Sequence, residues 1–129
     1  MNIEDLRYSK DHVWVRIEQG NLATIGITLF AQESMGEITY VELPEIGKDV
    51  EQGQFLCSIG SAKALVDLPS PISGKVAELN DAIGVTPGLV NTSPYNEGWF
   101  IRLKTVKIEE INSLMDNESY LKFIESENK

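Results

Sequence analysis

The sequence holds one cysteine, Cys57, and one histidine, His12, in 129 residues. A single thiol excludes an internal disulfide and a cysteine-rich zinc site, and it fits a reducing compartment such as the cytoplasm. A lone histidine beside ordinary carboxylates excludes a histidine metal centre, so His12 reads as a structural hydrogen-bonding residue. Positive charge is also scarce, with 11 Lys and Arg against 20 Asp and Glu and a net charge of -9. That balance argues against nucleic acid and anionic membranes, and it favours partners with basic surfaces. No apolar run approaches the ~20 residues of a membrane-spanning helix. The start, MNIEDLRYSK, lacks the basic-then-apolar pattern of a secretory leader. No nucleic-acid or membrane partner is expected, and the expected location is cytoplasmic.

What is present is ordinary for a globular domain: 42% hydrophobic and 24% charged residues. One domain over 1–129 is expected, with a helical C-terminal extension over about 107–129. "HVWVRIE" alternates, with Val13, Val15 and Ile17 on one face and Trp14, Arg16 and Glu18 on the other, as in a half-buried strand. "QGN" turns the chain into a second strand, "LATIG". "TLFAQESMG" changes to a helical period, with Thr28 placed to cap its start and Gly36 its end. "EITYVELP", "FLCSIG", "ALVDLP", "GKVAELN" and "WFIRLKTV" read as further strands, and "FLCSIG" is apolar enough to be buried. Cys57 is expected in the core. Residues 81–98 read mostly as loop, with one helical turn near Thr86 to Leu89 and Pro87 at its first position. "KIEEINSLM" and "ESYLKFIE" read as helices, the second capped by Asn117, and SENK as a frayed end. "DVEQGQFLCSI" and "GVTPGLVNTS" share a faint pattern that a repeated unit would produce. Short strands this closely spaced predict a mainly β sandwich or barrel.

One lysine stands out. In "IGSAKALVDLP", Lys63 lies between two strands among Ser61, Ala62 and Ala64. A lysine that one enzyme must acylate, and that others must then reach, needs exposure, a fixed position and no bulky neighbours. A tight hairpin supplies the first two, and the small residues supply the third. A Schiff-base lysine would instead need a desolvated amine, which a hairpin tip does not provide. Asp67 is placed to orient the hairpin or to be read by the modifying enzyme. Trp14 and Trp99 read as large packing residues, with Trp99 in "EGWF" also placed to border a cleft.

Three stretches resemble the glycine cleavage H-protein family in order and spacing. They are "YSKDHVWVRIEQGNLATIGITLFAQESMGEITYVELPEIGKDVEQGQ", "SAKALVDLPSPISGKVAELN" and "LVNTSPYNEGWFIRLK". The resemblance implies a barrel-sandwich hybrid of two small antiparallel sheets with a short internal helix and C-terminal helices. It implies lipoate joined as an amide to Lys63, with Ser61, Ala62, Ala64 and Asp67 as the surrounding recognition residues. It further implies a monomeric, non-catalytic carrier. Its partners would be a lipoylating enzyme and the three enzymes its arm visits with an aminomethyl cargo: glycine decarboxylase, aminomethyltransferase and dihydrolipoyl dehydrogenase.

Two positions depart from the family pattern. Gly60 stands where the family has glutamate ahead of the modified lysine, and Val13 stands where it has glutamate in the first strand. A carboxylate in that strand could hold the ammonium of a loaded arm by a charge-assisted hydrogen bond, which valine cannot do. Gly60 is expected to loosen the backbone beside the tip. These departures open a second expectation, an H-like lipoate-binding protein of another pathway, such as sulfur oxidation with heterodisulfide-reductase-like partners. A biotin carrier shares the architecture, but biotin acceptors flank their lysine with methionines. An unmodified scaffold is the remaining alternative.

Overall fold

A computed structural model describes residues 6–18, 21–105 and 107–127. Among the described residues nine strands form two sheets: β1 (Arg7–Tyr8), β2 (Val13–Ile17), β3 (Leu22–Ile27), β4 (Ile38–Glu42), β5 (Asp49–Val50), β6 (Phe55–Ser61), β7 (Leu65–Pro69), β8 (Gly74–Leu79) and β9 (Ile101–Lys104). The larger sheet has the order β1-β2-β3-β9-β8-β5 and the smaller β4-β6-β7. Every pairing is antiparallel. The inner faces share one core: Val13, Val15, Ile25, Val76 and Leu103 from the larger sheet meet Ile38, Leu56, Cys57, Ile59 and Leu68 from the smaller. The mainly β, two-sheet expectation is met, although one sheet has six strands rather than a few.

β2 is buried on both faces over most of its length. Val13 and Val15 are buried as the alternation predicts, but Trp14 is 0% exposed and Ile17 is 50% exposed, against it. The outer face of β2 is covered by a second apolar cluster, in which Leu6, Tyr8, Trp14 and Tyr120 pack with Phe123 and Ile124. The Trp14 indole donates to the Pro94 carbonyl at 3.0 Å. It lies flat across Gly26, where a Cβ would sit 2.6 Å from the ring. In β6, the register shifts between Phe55 and Cys57. The bulge buries Leu56 and Cys57 together and turns Phe55 outward, so the strand expected to be buried throughout begins with an exposed aromatic ring.

The described residues also hold five helices: α1 (Leu29–Met35), α2 (Asp81–Val85), α3 (Gly88–Thr92), α4 (Ile108–Asn112) and α5 (Asn117–Glu127). Thr28 caps α1, its hydroxyl accepting from the Ala31 amide at 3.2 Å, and Gly36 ends it. The stretch expected to be mostly loop contains α2 and α3, and Pro87 is the N-cap of α3 rather than its first helical residue. The faint repeat is not structural, since its first copy forms β5 and β6 and its second forms α3. Asp116, not Asn117, caps α5: its carboxylate accepts from the Ser119 amide at 2.8 Å. Ser126 and Glu127 belong to α5 and are not frayed. Gln19, Gly20, Val106 and the last two residues lie outside the described residues.

Candidate functional site

β6 and β7 form a hairpin whose tip is Ala62, Lys63 and Ala64, all exposed. The Ser61 amide donates to the Ala64 carbonyl at 2.8 Å and closes the turn. The Ser61 hydroxyl donates to the Met35 carbonyl at 2.6 Å and accepts from the Lys63 amide at 3.2 Å. One side chain thus fixes the lysine backbone to the last residue of α1. Ala62 and Ala64 leave the tip unobstructed. Asp67 stands further down the hairpin, where its carboxylate accepts from the Ser58 hydroxyl at 3.0 Å and clips β7 to β6.

No local signal in the sequence points to what lies beneath the lysine stem. Gly36 has φ +81, a backbone conformation that glycine alone adopts easily. The Lys63 stem lies over it, its Cε 3.7 Å and its Nζ 4.0 Å from where a Cβ would be, so Gly36 is a shallow seat for the stem. That seat is held by Gln32, whose amide donates to the Gly36 carbonyl at 3.2 Å and to the Asn91 side-chain oxygen at 3.2 Å. Asn91 then pairs with Ile38 as a strand would, accepting from its amide at 2.8 Å and donating to its carbonyl at 3.1 Å. Gly36 was legible only as a helix stop, and Asn91 only as a loop residue.

The start of α1 is fixed as firmly as its end. His12, with φ +65, bonds the Tyr120 hydroxyl through Nδ1 at 2.8 Å and the Glu127 carboxylate through Nε2 at 3.0 Å. A carboxylate only accepts, so Nε2 carries the proton, and in the neutral ring Nδ1 accepts from Tyr120. The Thr28 hydroxyl, 2.7 Å from that of Tyr120, then donates to it while accepting from Ala31. His12 is therefore the structural residue expected, and it ties α5 to the cap of α1. Burial pushes the Tyr120 hydroxyl up to about 12, against the opposing hydrogen bond from Thr28.

Neither departure from the family pattern sits in a loose or open place. Val13 is 1% exposed and lies in the main core. Gly60 is a strand residue paired with Tyr40 on one side and Leu65 on the other, which corrects the expectation of a loosened backbone beside the tip. The side chains of Tyr40 and Leu65 close over it, each 3.4 Å from where a Cβ would be. Cys57 is buried in the core, and burial pushes its thiol up to about 12. Trp99 is half-buried and carries the Arg102 guanidinium 4.1 Å above its ring, in a packing role.

The chain matches the family model described as glycine cleavage H-protein over residues 6–127. It is 46% identical over 125 residues to glycine cleavage system H protein 2, mitochondrial, of Arabidopsis thaliana, covering 97% of this chain and 80% of that one. It is 43% identical over 124 residues to the glycine cleavage system H protein of Parvibaculum lavamentivorans, covering 96% and 98%. Among solved structures, the glycine cleavage system H protein of Mycobacterium marinum superposes with a TM-score of 0.83 at 30% identity, covering 91% of this chain and 94% of that one. With a two-sheet fold, an exposed hairpin lysine and relatives that match almost the whole of this chain, this chain belongs to the glycine cleavage H-protein family.

Proposed function

We propose that this protein is the lipoyl carrier of a glycine cleavage system, with lipoate joined as an amide to Lys63. The observation that carries this reading is the tip itself: an exposed amine, small neighbours, and a backbone held by Ser61 to the end of α1. The residues present fit the group. Nothing bulky flanks Lys63, and its stem rests over Gly36. When attached, lipoate supplies a dithiolane that is reduced and reoxidised and that carries the aminomethyl cargo. The protein's own part is to present the arm, and catalysis belongs to its partners. Those partners are a lipoylating enzyme, glycine decarboxylase, aminomethyltransferase and dihydrolipoyl dehydrogenase. The protein acts as a monomer in the cytoplasm.

The two departures do not favour another pathway. A valine at position 13 serves the core, and a glycine at 60 is absorbed by its neighbours in the sheet. The test is intact mass after incubation with a lipoylating enzyme, lipoate and ATP, beside Lys63→Arg. One lipoyl amide on the wild type and none on the variant is the expected result. An unchanged wild-type mass, with several lipoylating enzymes tried, would sink the reading.

A further inference from the structure

We infer that the outer face of the smaller sheet, running back from Lys63 along β4, β6 and β7, is where the lipoylating enzyme docks. The inference rests on the carrier reading. In the reaction, the Lys63 nitrogen attacks the acyl carbon of a lipoyl adenylate made from lipoate and ATP. The C–N bond forms, AMP leaves with the electron pair of the broken C–O bond, and the nitrogen gives its proton to solvent. The acyl carbon must come within about 3.5 Å of Nζ. An enzyme that brings it there must cover the surface around the tip.

That surface is built in rows across the strands. The row beside the tip is Tyr40, Gly60 and Leu65, paired in register. Leu65 is 70% exposed and Tyr40 46%, so two apolar side chains stand open to solvent in the row beside the tip. Gly60 has no side chain between them, and both lie over it, each 3.4 Å from where its Cβ would be, as one apolar step across the sheet. The next row is Glu42, Ser58 and Asp67. Its two exposed carboxylates stand on the outer strands, about 10 Å apart by strand spacing. Each is oriented by a hydroxyl: Tyr40 donates to Glu42 at 2.9 Å and Ser58 to Asp67 at 3.0 Å.

An apolar step followed by a pair of held carboxylates fits a partner that offers an apolar knob and, one row further on, an arginine or lysine. Beyond that row, Pro44, Ile46, Lys48 and Phe55 help line an open groove of about 690 Å³ that continues the face away from the tip. The arrangement also explains how a chain without a carboxylate at position 60 could still be read: the negative charge is on the flanking strands, one row further from the lysine.

The experiment compares kcat/KM for lipoyl attachment to the full chain, using a lipoate–protein ligase with lipoate and ATP. The variants are Leu65→Asp, Glu42→Lys and, on the other sheet, Ile17→Asp, which replaces a similarly exposed side chain. Folding is checked by thermal unfolding. Intrinsic access to Lys63 is checked by its rate of acetylation with a small N-hydroxysuccinimide ester. The expected result is a loss of at least about tenfold for Leu65→Asp and about fivefold for Glu42→Lys, with Ile17→Asp and all acetylation rates unchanged. Attachment to both face variants at the wild-type rate would overturn the docking face and leave the carrier reading intact. A wild type that takes no lipoate would instead overturn the carrier reading.

Discussion

The two positions that break the family pattern have opposite physical characters. Glutamate at position 13 would place a carboxylate in the main core, where Val13 now packs. A carboxyl pushed up by about 3 units on burial costs about 4 kcal/mol near neutral pH. Such a group has its folded pKa above its unfolded one. The penalty of Val13→Glu is therefore present above about pH 4 and disappears as pH falls below it. Urea unfolding of the variant at pH 7 and at low pH would show a deficit at the first that shrinks at the second. Gly60→Glu has an outward Cβ in ordinary contact with Tyr40 and Leu65. Its stability should change by less than about 1 kcal/mol, measured by the same unfolding curves. Both departures are visible in the sequence as bare substitutions. That one faces the core and the other the outer side of its sheet, under Tyr40 and Leu65, depends on which face of its strand each occupies.

At the scale of elements, α1 is the piece that connects everything around Lys63. Its cap is held by Thr28, Tyr120 and His12, and its last carbonyl by Ser61. The sequence predicted this helix and its cap, because Thr28 and Gly36 are local signals. It did not show the partners, which lie 92 and 26 residues away in the chain. The same limit explains Asn117 and Asp116. Either could cap α5 by sequence, and Asn117 is instead turned to accept from the Tyr8 hydroxyl at 3.3 Å. Tyr120→Phe should cost about 1–3 kcal/mol by leaving Thr28 and His12 without their shared partner. Thr28→Ala in the same background should add less than it costs alone, as a double-mutant cycle by chemical denaturation would show. Ser61→Ala should cost about 1 kcal/mol and slow lipoyl attachment, because the Lys63 backbone loses its tie to Met35; unfolding curves and intact mass read the two effects separately.

At the scale of the whole molecule, Cys57 reports on the integrity of the sandwich. It sits between the sheets, and burial pushes its thiol up to about 12. Only the thiolate alkylates, so the native protein should react with iodoacetamide at pH 8 at least about a thousandfold more slowly than the protein in denaturant. Labelling across a urea series should follow the global unfolding curve, and fast native labelling would show that the sheets separate locally. Among the described residues no buried side-chain nitrogen or oxygen lacks a partner, as expected of two sheets that close completely on each other. Also among them, no helix is long and apolar enough to cross a membrane.

Local chemistry in the sequence settled most strands, the start and stop of α1, the burial of Cys57 and the exposure of Lys63 at a turn. These follow from alternation, caps and small residues, all of which act over a few positions. Only the tertiary structure decided that Trp14 is covered, that Phe55 is exposed, that Gly36 seats the lysine and that Gly60 joins Tyr40 to Leu65. Each of those depends on what a distant part of the chain lays against the residue: α5 over β2, a bulge within the β6–β7 pairing, the end of α1 under the hairpin, and three strands in register. Contact across the fold selects among the faces that periodicity only offers.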